Sequence, residues 1–177
     1  ETYQADTGEG LWRRGLYTWI KRQAPPPSFL VFDGTTREKC TIQRAVTNTP
    51  LQSLVLLNDP VFVEAARVLA SRILLLPRAE PGAADKLSAG SIPRTEHRLN
   101  QLVQHVLSRY PDNRERQLLS GLVRRQQKRF EQTPATAHAL ISIGHAPCDG
   151  TLDPLELATW TVVAQAVMNL DEAITLR

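Results

Sequence analysis

Two cysteines, one methionine and an aromatic share of 6% in 177 residues rule out several common constructions. Two cysteines are too few for a disulfide-dense scaffold, so Cys40 and Cys148 read as separate thiols, although a bridge between them would close a long loop. No run comes near the roughly eighteen apolar residues that a membrane-spanning helix needs. The opening ETYQADTGEG lacks Met, a basic stretch and an apolar stretch, so no signal peptide is visible, and the start reads as internal to a longer protein. Charge is nearly balanced, with 21 Lys and Arg against 18 Asp and Glu. The resulting +3 permits contact with anions without demanding nucleic acid.

Reactive motifs are also scarce. There is no glycine-rich phosphate loop, nucleophile elbow or Ser/His/Asp arrangement. The order His145-Ala146-Pro147-Cys148 is not the Cys-x-x-Cys-His haem attachment signature. Four histidines stand at 97, 105, 138 and 145. His97 and His105 are too far apart for a zinc pair on one helix, which wants a spacing of about three or four. Asp149-Gly150-Thr151-Leu152-Asp153 with Glu156 faintly resembles a calcium loop, but Leu152 and Pro154 interrupt the alternating oxygen ligands. These residues give no reason to expect a metal or cofactor in this chain.

Helix signals are plentiful. The composition, 42% hydrophobic and 22% charged, is that of a globular chain long enough for a real core. Thr49-Pro50-Leu51-Gln52 predicts a capping box with proline at the first helical position. Asp59-Pro60, Thr133-Pro134 and Asp153-Pro154 repeat the cap-plus-proline pattern, with Glu156 completing a box in the last. Asp112 with Glu115 forms another. Apolar stripes agree: Leu99, Leu102, Val103, Val106, Leu107 and Tyr110, then Phe62, Ala65, Ala66, Leu69 and Ile73, then Leu118, Leu119, Leu122, Val123 and Phe130. The last is flanked by Arg124, Arg125, Lys128 and Arg129. The segment from Pro154 to about Met168 has few polar side chains on any face and is the expected central helix. An aromatic and basic opening helix is expected over Leu11 to Gln23. Ala24-Pro25-Pro26-Pro27 must be extended. Residues 77–92, rich in small and turn-forming residues, are expected to form a mobile surface loop. The fold class is therefore all-α, an irregular multi-helix bundle with long proline-containing connections, in one domain over residues 1–177.

The densest polar chemistry lies between Phe32 and Pro60, where Asp33, Arg37, Cys40, Arg44, Asn48, Gln52, Asn58 and Asp59 crowd together. Such a segment is either an internal hydrogen-bond network or a binding surface. As a surface, Arg14, Tyr17, Lys21, Arg37, Arg44 and Asn48 are the candidate ligand-binding residues, since arginine forks suit anions and aromatic faces stack on flat ligands or sugars. The structural alternative is favoured: Trp12, Tyr17 and Trp19 partly in the core, with the arginines paired to Asp33, Asp59 and Glu172. Cys40 has Arg37, Lys39 and Arg44 nearby, but a nucleophile also needs a base, and no histidine is close in sequence.

The stretch RRGLYTWIKRQAPPPSFLVFDGTTREKCTIQRAVTNTPLQSLVLLNDPVFVEAARVLA resembles the C-terminal planctomycete domain of unknown function 1553. The ending LDPLELATWTVVAQAVMNLDEAITLR, with Trp160 and Asn169-Leu170-Asp171-Glu172, is similar to that family's closing helix. The resemblance spans nearly the whole chain and is weakest between Pro77 and Thr95. It implies an exported, extracytoplasmic, multidomain parent with a cytochrome-c-like domain upstream and a link to polysaccharide use. It carries no catalytic residue. Cys40 fits the family pattern and Cys148 falls in a variable loop, which weighs against a bridge. The expected role is a non-catalytic helical docking module whose partners are upstream domains of the same protein and an anionic or carbohydrate ligand, while nucleic acid is disfavoured. The alternative is part of an enzyme whose active site is shared with an upstream domain.

Overall fold

Local helix signals and one very apolar helix organise the described helices from residue 50 onward. The computed structural model describes residues 3–4, 6, 8–13, 15–21, 23–35, 40–43, 45–76 and 94–175. Among these residues there are eight α-helices and no strand: α1 (Pro27–Val31), α2 (Pro50–Asn58), α3 (Pro60–Leu75), α4 (Arg94–Leu107), α5 (Asn113–Gln132), α6 (Pro134–Ile141), α7 (Pro154–Met168) and α8 (Asp171–Ile174). One isolated bridge joins Lys21 and Ala24. The 77–92 segment lies outside the described residues.

Most of the caps form as read. Thr49 and Gln52 make the reciprocal box on α2, and Asp112 and Glu115 make the one on α5. Asp59 accepts from the backbone N–H of Val61 at 2.9 Å, starting α3 immediately after α2 ends. Two caps differ. Thr133 makes no side-chain cap; its hydroxyl donates back to the carbonyl of Arg129 at 2.9 Å. Asp153 caps Glu156 N at 3.0 Å, but the Glu156 carboxylate turns to Arg98, so that box stays one-sided.

The expected central helix is central. α7 packs against α3, α5 and α6, and touches α2, α4 and α8 as well. Its buried Leu157, Trp160, Val163, Ala164 and Val167 meet Ala66, Ala70 and Ile73 of α3, Leu99, Leu102 and Val103 of α4, and Val123 of α5. Its buried threonines do not waste polar groups: Thr159 and Thr161 donate to the carbonyls of Leu155 and Leu157, each at 2.8 Å. Gln165 reaches out of α7 to the carbonyl of Leu57 at 3.1 Å, satisfying the end of α2.

The opening helix does not form. Two 3-10 turns, Gly8–Trp12 and Gly15–Tyr17, take its place. A Cβ at Gly15 would lie 2.8 Å from Cζ of Phe29, so the backbone there is pressed against α1. Glycine plus the Tyr17-Thr18-Trp19-Ile20 run gives weak intrinsic helix preference, so little favours a regular helix there. Nor are the aromatics core residues: Trp12, Tyr17 and Trp19 are 51%, 69% and 79% exposed. Leu118 and Tyr110, read as parts of apolar stripes, also face outward. Cys40 and Cys148 are both exposed, free thiols.

Candidate functional site

Described residues from the two ends of the Phe32–Pro60 segment meet at one buried amide, that of Gln52. The chain leaves α1 through Asp33, at φ 55°, and Gly34, whose N–H donates to the carbonyl of Phe29 at 2.6 Å. A Cβ at Gly34 would sit 2.6 Å from that same oxygen, so the tight turn requires glycine. The turn aims the Asp33 carboxylate at Thr47, which donates through its backbone N–H at 2.9 Å and its hydroxyl at 2.7 Å. Gln52, only 1% exposed, completes the cluster. Its Oε1 accepts from Thr49 N, while its Nε2 donates to Val31 O at 2.9 Å, to Thr47 Oγ1 at 3.1 Å and weakly to Asp33 at 3.5 Å. The amide thus ties α1, the following loop and the start of α2 to one another.

Asn48 donates to Asp171 of α8 at 2.8 Å, across 123 positions of sequence. Of the six ligand-binding candidates, Asn48 is therefore occupied by a structural contact. Tyr17 and Lys21 are exposed on the opening segment. Arg14, Arg37 and Arg44 lie outside the described residues. The expected arginine partners are employed differently: Asp59 caps α3, and Glu172 accepts from Arg109 Nε at 2.8 Å. Arg109 also forks onto Glu115, at 2.8 and 2.7 Å. That fork, followed by the Asp112 N–H, lowers the Glu115 carboxyl to about 2, while the two glutamates push the Arg109 guanidinium further up.

A second polar cluster was missed by the sequence reading. Glu64 and Arg67 of α3 are 2% and 1% exposed. Glu64 accepts from the backbone N–H groups of His145 and Ala146 at 2.9 and 2.7 Å. Arg67 donates to the carbonyl of Ala146 at 2.7 Å and to the Cys148 sulfur at 3.1 Å. The loop before α7 is thus gripped at both backbone groups of Ala146, its N–H by Glu64 and its carbonyl by Arg67. Gly144, at φ 97°, makes this grip close: a Cβ there would stand 2.6 Å from Cδ of Glu64. A signal was available. Arg67 shares the helical stripe of Val63, Ala66, Ala70 and Leu74, so a charge stood on the buried face of an otherwise apolar pattern.

The third feature is a polar cleft of about 210 Å³ between α4, α5 and the start of α7. Arg98 lies at its base, paired with Glu156 and set 5.7 Å above the ring of Trp160. Gln127, Glu131 and Asp153 line it, but Gln127 bonds Glu131 at 3.2 Å and Asp153 caps α7. None of the three clusters sets a nucleophile against a base. Among the described residues no three His, Cys, Asp or Glu side chains gather as a metal site would require, and no helix is long and apolar enough to cross a membrane.

In comparisons with known proteins, the family model PSD1, "Protein of unknown function (DUF1553)", matches residues 1–123. The closing α7–α8 segment lies beyond that match. No curated protein and no solved structure matches the chain.

Proposed function

The chain belongs to the PSD1 (DUF1553) family of unknown function, and from that premise we propose that it is a non-catalytic helical docking module. Its docking surface is the Leu11–Asp59 region, and its partners are upstream domains of the same polypeptide. The observation that carries this reading is where apolar surface is left uncovered. Trp12, Leu16, Tyr17, Trp19 and Leu30 are exposed before α2, and Leu51, Leu54 and Leu57 are exposed along α2. The α2 residues recur every third position, and α2 also buries Leu56 and Gln52 on its inner side, so this helix is apolar outside as well as inside. Helices of that kind are covered on both sides in a finished assembly, and large exposed apolar areas mark interaction sites.

The resemblance supports the finer part of the proposal: an exported planctomycete parent, extracytoplasmic, with a cytochrome-c-like domain upstream and a role linked to polysaccharide use. Haem would belong to that upstream domain, because this sequence lacks the attachment signature. The alternative, a shared enzyme site, would draw on Asp33, Asn48 and Gln52, and these are bonded to Thr47, Asp171 and Val31. Hydrogen exchange on this chain alone and within the longer polypeptide tests the docking role. Protection confined to peptides from Leu11–Leu57 in the longer form is expected. Equal exchange in both forms, with Trp12 and Trp19 equally quenched by acrylamide, would refute it.

A further inference from the structure

The outward face of α5 carries a row of basic side chains that no ion pair among the described residues uses, Arg129 alone leaning on a ring, that of Phe130 at 5.9 Å. Arg114, Leu118, Gly121, Arg125 and Lys128 recur at the four-then-three spacing that places residues on one helical stripe. Arg124 and Arg129 flank them, and all five basic residues are exposed. The opposite face holds Val123 and Phe130 in the core, with Leu119 and Leu122 packed on it, which fixes the basic stripe toward solvent.

An ordinary solvated helix intersperses acids with its bases, so that neighbours one turn apart attract. Here the neighbours repel: Arg124 with Lys128, Arg125 with Lys128, and Arg125 with Arg129 are all one turn apart. Of the two carboxylates of the helix, Glu115 is held by Arg109, and Glu131 bonds Gln127 and stands one turn from Lys128 alone, so the four arginines have no acid of the helix one turn away. Among the described residues none of the five cations is ion-paired, whereas Arg98 and Arg109 are. A row of like charges on a rigid helix is complementary to an external anion.

Leu118 and Gly121 indicate which kind. Leu118 is 62% exposed in the middle of the stripe. Beside it, a Cβ at Gly121 would meet only Arg125 Nη1, at 3.6 Å, so a shallow notch lies next to an apolar knob. A sulfated polymer or a phosphate backbone gains nothing from either, and no aromatic stands on the stripe for a base to stack on. We infer that this face of α5 docks an acidic protein segment whose carboxylates surround one apolar side chain seated against Leu118 and Gly121. This surface is separate from the Leu11–Asp59 region and does not depend on it.

The test uses four probes by fluorescence anisotropy: a helical peptide with glutamates around a single leucine, its serine counterpart, a heparin fragment and a DNA duplex. The leucine peptide should bind best, with an affinity that falls steeply with salt. Reversing charge in the Arg125→Glu, Lys128→Glu double variant should weaken it about tenfold or more. Leu118→Ser should weaken it about fivefold and lose its effect on the serine peptide, the signature of a direct contact. Thermal melts of the variants check that the fold is kept. Heparin or duplex binding tighter than the peptide, and indifferent to Leu118→Ser, would overturn the proposal in favour of a polymeric anion. Absence of peptide binding would overturn it outright.

Discussion

Replacing Glu64 by glutamine changes almost no volume and removes one acceptor from the grip on the loop before α7. The carboxylate now receives two backbone N–H groups, from His145 and Ala146, at 2.9 and 2.7 Å. In Glu64→Gln one position becomes an NH₂ facing an N–H, so one bond is lost and one buried donor is left without an acceptor. A hydrogen bond to a charged group contributes about 1.5–3 kcal/mol, and an unsatisfied buried donor costs about 1–3 kcal/mol. Removing a desolvated charge works the other way and offsets part of this loss. Together these place the loss at about 2–3 kcal/mol. For a chain of this size that lowers Tm by roughly 4–12 °C. Urea unfolding followed by far-UV circular dichroism gives the free energy, and the spectrum before the transition checks that the helices persist. A loss below about 0.5 kcal/mol, the range of ordinary surface substitutions, would refute the claim that Glu64 holds the loop.

Gln52→Leu should destabilise by about 2–4 kcal/mol, because Val31 O and Thr49 N lose their partner in a buried setting. Asn48→Ala, at an exposed contact to Asp171, should stay within about 1 kcal/mol; equal losses in parallel urea titrations would dissolve the distinction between network and surface. Acid unfolding should report Glu115. Its carboxyl is lowered in the folded state, so its contribution is present above the ordinary value of 4.5 and is lost as pH falls toward about 2. Glu115→Gln should flatten the stability profile over that interval while leaving the slope above pH 5 unchanged, where pH 5 is approximately the upper limit of carboxylate titration.

Helix positions were legible wherever a cap and an apolar period coincided, because both signals are local. Thr49, Asp59, Asp112 and Asp153 all cap the helices that follow them. The opening segment failed as a helix where intrinsic preference is weak and the Gly15 backbone lies close against Phe29, a contact beyond the reach of a local pattern. The polar segment was visible as a concentration of polar residues, and Asp33 and Gln52 do form a network. Its partners were not legible, since Asn48 meets Asp171 and Glu172 meets Arg109 only through tertiary packing. Glu64 and Arg67 escaped notice for the opposite reason. They sit inside an apolar stripe, where charged residues are discounted unless the stripe itself is used to place them.

The position of α7 has a consequence for how this molecule comes into being. On the ribosome, Ala66, Ala70 and Ile73 of α3 and Leu99 and Val103 of α4 emerge well before the helix that covers them. Until residues 154–168 are made, these side chains have only one another, and the nascent chain is a natural client for a holdase. The family match, which stops at residue 123, omits α7 altogether. A clone cut at that boundary would carry the shared sequence without the hydrophobic axle that α3, α4 and α5 assemble around, and would give an aggregating fragment rather than a small domain.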